Sequence, residues 1–226
     1  MLEPEAIQAA FYAAAGEAQA LVNHLGLAAR SAPTAKLVFE TDVQAELRRA
    51  LQLGRVETVA VGTPLSGKGV LSQPTDLVVA GKSRTPQFAV EIGWHPRGED
   101  HAGFALKAMW DVLKMITART QGSVEQAAVM IAAPTRFWRW IPGYAHDHAG
   151  YDLLGSDADT PTSAKADFLA GPAWNDLFEQ GMERNLPERL WTSLLAGSEI
   201  RSPWADTELR LLEVKGLGNP GKVRPG

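Results

Sequence analysis

The stretch Pro74–Trp94, PTDLVVAGKSRTPQFAVEIGW, holds two short apolar runs, each carrying one acid: Asp76 opens the first and Glu91 lies near the end of the second. Gly81 and Pro86 are turn-forming shoulders around the polar stretch Lys82-Ser83-Arg84-Thr85, so the runs are expected to pair as an antiparallel hairpin. The numbers of opposed residues then total 167, as do those of Asp76 and Glu91. The two acids are placed across from each other on one face. Opposed residues on neighbouring strands have Cβ atoms about 4.5–5.5 Å apart, and like charges at that distance destabilise the pair unless something compensates. A divalent cation is one compensator, since hard cations take oxygen ligands and often only one or two protein carboxylates. The other reading is that one or both acids lie at exposed strand ends and are merely solvated.

The neighbouring residues weigh against solvation. Leu77, Val78, Val79 and Ala80 in the first run and Phe88, Ala89, Val90 and Ile92 in the second are apolar on both alternating faces, the pattern of strands covered on both sides. Gly93 stands two positions after Glu91 on the same side and is expected to leave that face empty.

The rest of the chain supplies layers for such a hairpin. Residues 4–30 are Ala-rich with Pro4 in a first helical turn, and Val43, Leu47, Ala50 and Leu51 recur at helical spacing before Gly54. A strand is expected over 56–61. Asp100 is placed to cap a helix over 101–119 with Phe104, Ala108, Val112 and Met115 as its buried stripe, and 126–133 reads as a buried strand closed by Pro134. Helices are expected over 164–182 and 187–196 and a late strand over 209–214, while the Gly- and Pro-rich end of the chain reads as a mobile tail. The organisation expected is an N-terminal helical segment (1–35) packed on the core, an α/β domain over 36–214 with a helical, aromatic-rich C-terminal half, and a flexible tail (215–226). The fold class is α/β, a mixed central sheet flanked by helices on both faces.

Composition narrows the chemistry. The 226 residues contain no cysteine, which removes disulfides, thiolate metal sites and a cysteine nucleophile. No apolar stretch has the length of a membrane span and the N-terminus is acidic, so the expected location is cytoplasmic. A net charge of −4 and a pI near 5.8 run against strong non-specific nucleic-acid binding.

The order helix, strand with Asp closely preceded by Pro, strand with Glu, long helix resembles the PD-(D/E)XK, or restriction-endonuclease-like, superfamily. The resemblance is carried by Pro74-Thr75-Asp76, Val90-Glu91-Ile92-Gly93 and the helix FALKAMWDVLKM over Phe104–Met115, and covers roughly residues 36–133. It implies a restriction-endonuclease-like fold, Mg²⁺ or Mn²⁺ held by Asp76 and Glu91 with Glu40 or Glu46 of the preceding helix assisting, and phosphodiester hydrolysis on DNA or RNA. Gly93 occupies the position of the motif Lys. Lys107, about 60° around the following helix from the Phe104 stripe, is the candidate replacement that would stabilise charge on the scissile phosphate, with Lys107, Asp111 and Lys114 as a merely solvated flank on the opposing reading. The alternative function is a catalytically inactive member of the same fold acting through a protein partner or a second copy of itself.

Three further motifs compete. GTPLSGKG at 62–69 matches a phosphate-binding loop up to Gly69, but Pro74 follows too soon for the required helix, and a loop between strands is the better reading. His146-Asp147-His148 has the spacing for two imidazoles on one side of an extended segment but no third ligand nearby. RFWRW at 136–140 reads either as a base-stacking surface or as a helix that packs Phe137 and Trp140 inward while Arg136 and Arg139 stay wet.

Overall fold

The computed structural model describes residues 2–28, 40–53, 58–81, 84–95, 100–145, 147, 153–155, 162–165, 172–182, 184–201 and 206–222. The chain is α/β. Helices α1 (Pro4–Ala28) and α2 (Glu40–Leu53) precede a three-strand meander, β1 (Val59–Pro64), β2 (Pro74–Val79) and β3 (Phe88–Trp94), and helix α3 (His101–Thr120) then leads to β4 (Gln126–Pro134). Helix α4 (Thr135–Tyr144), strand β5 (Thr162–Lys165), helix α5 (Pro172–Glu179) and the long strands β6 (Asn185–Ile200) and β7 (Thr207–Lys222) complete the order.

Together the strands make one seven-stranded mixed sheet in the order β1-β2-β3-β4-β7-β6-β5. Among the described residues only β3 and β4 run parallel, joined by α3, and every residue of β4 and all of β3 up to Gly93 are buried, as a doubly covered parallel pair requires. The β2–β3 ladder pairs Leu77 with Val90, Val78 with Ala89 and Val79 with Phe88, the register expected from the turn residues. Continued by one step, it brings Asp76 opposite Glu91.

Each face of the sheet has its own core. On one side Ile7, Phe11, Ala14, Ala18 and Val22 of α1 and Val43, Leu47 and Leu51 of α2 cover Leu77, Val90, Ile92, Met130 and Leu211. On the other, α3, α4 and α5 cover Val78, Ala89, Val129, Ile131 and Leu212. Burying one such aliphatic side chain is worth about 1.5–3 kcal/mol, so the helical spacing of the apolar residues fixes which face each helix turns inward. Asp100 caps α3, its carboxylate accepting from the amides of Ala102 at 2.9 Å and Gly103 at 3.2 Å.

Three expectations are corrected in the C-terminal half. The segment 187–196 is not a helix but the body of β6, which pairs with β7 from Asn185↔Lys222 to Ile200↔Thr207. Residues 215–222 are correspondingly not a free tail but the second half of β7. Gly216 makes that possible: a Cβ there would collide with the Pro187 ring and stand 2.5 Å from Thr120 Oγ1. A long helix over 164–182 is likewise replaced, among the described residues, by the short strand β5 and the eight-residue α5.

The phosphate-loop lookalike is structural. After β1 the amides of Leu65 and Ser66 donate to the Leu71 carbonyl at 3.1 and 3.0 Å, and Gly69–Ser72 forms a single 3-10 turn rather than the start of an α-helix. Val70 and Leu71 of that turn are buried in the core that contains α3.

Candidate active site

β2 and β3 part after the Leu77↔Val90 pair, and at that opening their two acids meet. The Ile92 amide donates to Asp76 Oδ2 at 2.6 Å, and the Asp76 amide donates to Glu91 Oε2 at 3.4 Å. Each carboxylate thus takes a backbone N–H from the other's strand in place of the ladder bond that would continue the sheet. Asp76 is partly open to solvent, whereas Glu91 is 5% exposed.

The lysine that reaches Glu91 is Lys114, not Lys107. Its ammonium forms an ion pair with Glu91 Oε1 and donates to the Pro74 carbonyl at 2.7 Å, with only 3% of the side chain exposed. Lys107 lies two helical turns earlier on the same stripe and is exposed. Nor are Lys114 and Asp111 part of a solvated flank. From Val112 to Ala118 every residue of α3 is buried, because the 3-10 turn with Val70 and Leu71 packs on this half of the helix.

Among the described side chains of α2, the one that meets the site is Gln44. Gln44 Nε2 donates to Asp76 Oδ1 and to the Asp76 carbonyl, both at 3.2 Å. Glu46 points elsewhere, 3.9 Å from Arg49 and lining a groove against α1 with Glu17 and Asp42. Glu40 opens α2 one turn ahead of Gln44, and its side chain lies outside the described residues.

The space over Gly93 is not empty. A Cβ on Gly93 would stand 3.5 Å from Phe104 Cζ, so the ring of Phe104 already packs on the position of the motif Lys. Beyond it on the same side, His95 is buried with its ring 4.5 Å from that of Phe104, and its Nε2 lies 2.7 Å from His101 Nδ1. A long side chain at position 93 would displace this cluster, whereas one from α3 enters over Glu91 without doing so.

The electrostatics follow from burial and crowding. Removal from water pushes the Glu91 carboxyl up to about 7; Lys114 pulls it down and the Asp76 charge adds to the rise. Asp111, three residues before Lys114, has its carboxyl raised well above the ordinary aspartate range, first by burial and then by the charge of Glu91, with Lys107 and Lys114 opposing. Glu91 and Asp111 thus both feel the buried Lys114 ammonium, with Lys107 acting on Asp111 as well. Among the described residues no cluster of three or more His, Asp or Glu is arranged to hold a metal ion, so any cation here would rest on the Asp76–Glu91 pair with water and substrate completing its shell. The donor set suits a hard cation: two adjacent carboxylates, oxygen only, whose mutual repulsion such an ion would relieve.

The other motifs contribute no second site. In α4 the core residues are Phe137, Trp138 and Ile141, with Arg210 4.2 Å above the Trp138 ring; Trp140 is half-buried and stacks on Tyr144 at 4.5 Å. Near the C-terminus the residues Glu213-Val214-Lys215 also spell E-x-K, but they are split between partners, Glu213 pairing with Arg119 at 2.8 Å and Lys215 lying 3.7 Å over the Trp191 ring. His146 and His148 fall outside the described residues. Among the described residues no helix is long and apolar enough to cross a membrane.

Sequence inspection found the acid pair but missed Lys114, Gln44 and Asp111. One signal was present: at 100° per residue Asp111 falls within about 20° of the Phe104–Met115 stripe, too close to the buried face for a wet flank. No family model, no curated protein and no solved structure matches this chain.

Proposed function

We propose that this protein is a restriction-endonuclease-like phosphodiesterase acting on DNA or RNA with Mg²⁺ or Mn²⁺, and that Asp76, Glu91 and Lys114 carry the chemistry. The observation behind this reading is the contact of the Lys114 ammonium with Glu91, beside Asp76, on one face of paired strands. The element order supports it: a helix, an antiparallel meander of three strands, a helix and a strand parallel to the third, with the acids on the second and third strands.

In this assignment Asp76 and Glu91 hold the cation. When bound, the cation supplies Lewis-acid polarisation of the scissile phosphate and an acidified water. The Ile92 amide and Gln44 fix the Asp76 carboxylate so that it needs no reorganisation when it acts. Lys114, entering from α3 because Phe104 fills the space over Gly93, supplies the positive charge that offsets negative charge growing on the phosphate. In this reading a lysine on the helix performs the role that the resemblance assigns to one on the strand.

The test is cleavage of plasmid, single-stranded DNA and RNA with Mg²⁺ or Mn²⁺, comparing wild type with Asp76→Asn and Lys114→Gln. Cleavage that needs the metal and falls at least ~100-fold in both variants is expected. Equal, background-level cleavage by all three would leave the second reading, a non-catalytic interaction protein of the same fold. That reading is favoured by one observation: three of the four oxygens of the carboxylate pair already accept a hydrogen bond from the protein itself, and the fourth lies in the ion pair with Lys114.

A further inference from the structure

We infer that Lys114 gates the carboxylate pair: its ammonium holds Glu91 in the resting protein, and a divalent cation can be held by Asp76 and Glu91 only when Lys114 lets go. This rests on the cation-dependent reading above and adds to it a control of that same site.

The four carboxylate oxygens are met in unequal ways: three accept a hydrogen bond from an uncharged group, and the fourth, Glu91 Oε1, lies in an ion pair. Asp76 Oδ2 takes the Ile92 amide and Glu91 Oε2 takes the Asp76 amide, both fixed by the β2 and β3 backbones. Asp76 Oδ1 takes the neutral Gln44 amide. Glu91 Oε1 alone is met by a full charge, on a flexible four-carbon stem. Backbone amides and a side-chain amide can share an oxygen with a metal ion, since a carboxylate oxygen has two lone pairs and the donors are uncharged. An ammonium in direct contact cannot share it, because a unit positive charge and a doubly positive one would meet in a buried, weakly screened place.

The structure also supplies somewhere for the ammonium to go. Lys114 donates to the Pro74 carbonyl at 2.7 Å, and Pro74 is exposed at the entrance of β2, next to the partly open Asp76. Swinging about that carbonyl releases Glu91 without stranding the charge, and it brings the ammonium toward the solvent side from which a phosphate would approach. Loading the cation and presenting Lys114 to substrate are thus one movement.

The experiment is Mn²⁺ binding by calorimetry and by the electron paramagnetic resonance of free Mn²⁺, at pH 8, on wild type, Lys114→Gln, Lys114→Met and Glu91→Gln, each checked for folding by circular dichroism. Both Lys114 variants are expected to bind Mn²⁺ at least ~10-fold tighter than wild type, with Glu91→Gln weaker, even as Lys114→Gln loses cleavage. Folded Lys114 variants that bind Mn²⁺ no tighter than wild type would overturn the gate while leaving the cation site standing. Absence of Mn²⁺ binding in wild type and in every folded variant would remove the cation reading itself, and the gate with it. A second readout uses wild type alone: the Lys114 side-chain ¹⁵N resonance should move on titration with Mg²⁺. A resonance unmoved at saturating Mg²⁺ counts against the gate even if the variants fail to fold.

Discussion

Removing one partner of the Lys114–Glu91 pair should cost far more than removing both. The side chains are 3% and 7% exposed, so each charge depends on the other for most of its stabilisation. For an ordinary ion pair at an effective dielectric near 20, the attraction is roughly 5 kcal/mol before desolvation is counted. Lys114→Met keeps much of the stem's packing but leaves Glu91 buried without a counter-ion, and Glu91→Gln replaces the ammonium's paired carboxylate by a neutral amide oxygen beside the Pro74 carbonyl. Each single substitution should therefore destabilise by about 3–5 kcal/mol at pH 8. The double substitution, which buries no unpaired charge, should fall short of the sum by about 2–3 kcal/mol. Urea unfolding followed by tryptophan fluorescence measures all four corners of the cycle. Singles costing less than about 1 kcal/mol, or a strictly additive double, would refute the pair as a buried, mutually dependent unit. The cycle has an internal control in pH. Glu91 holds its proton up to about 7, so in Lys114→Met the cost should shrink at pH 5, where the unpaired carboxyl is neutral.

The same carboxyl gives the wild type an unusual pH profile. Its folded pKa of about 7 lies above the ordinary 4.5, so between those values the folded state binds more protons than the unfolded one and stability falls as pH rises. Glu91 alone contributes a loss of about 3 kcal/mol across that window, levelling off above it, and Asp111 adds in the same direction; the difference in unfolding free energy between wild type and Glu91→Gln, measured from pH 4.5 to pH 8, should trace it. Gly216→Ala should cost about 1–3 kcal/mol because its methyl meets the Pro187 ring and Thr120, and hydrogen exchange should show the β6–β7 ends opening in that variant. Asp100→Ala removes the α3 cap and should cost about 1 kcal/mol in thermal unfolding, with Asp100→Ser recovering most of it.

The hairpin was legible because its signals are local. Gly81 and Pro86 bound the turn, the apolar runs bound the strands, and together they set the register that aligns Asp76 with Glu91. Asp100 announced α3 for the same reason, since a cap acts within one helical turn. β6 was misread because bulges break its alternation. Leu186, Leu190 and Leu194 face the α3 layer at a spacing that imitates a helix, and after the irregularity at Leu194/Ala196 the buried residues Ala196 and Ile200 face the α1 layer instead. The far half of β7 hid behind its Gly and Pro content, which here serves close approach to Pro187. Lys114 was illegible for a different reason. Its burial depends on the 3-10 turn at Gly69–Ser72 packing over α3, a contact between segments some forty residues apart that helix periodicity does not register.

The central claim is that Asp76 and Glu91 hold a divalent cation and that Lys114 belongs to the same site. Anomalous diffraction from crystals soaked in Mn²⁺ tests it most directly. The account predicts a manganese peak in contact with both carboxylates, with the Lys114 ammonium withdrawn from Glu91 and still bonded to the Pro74 carbonyl. A saturating soak that leaves no peak between Asp76 and Glu91, and leaves Lys114 paired to Glu91 as in the present structure, would contradict it.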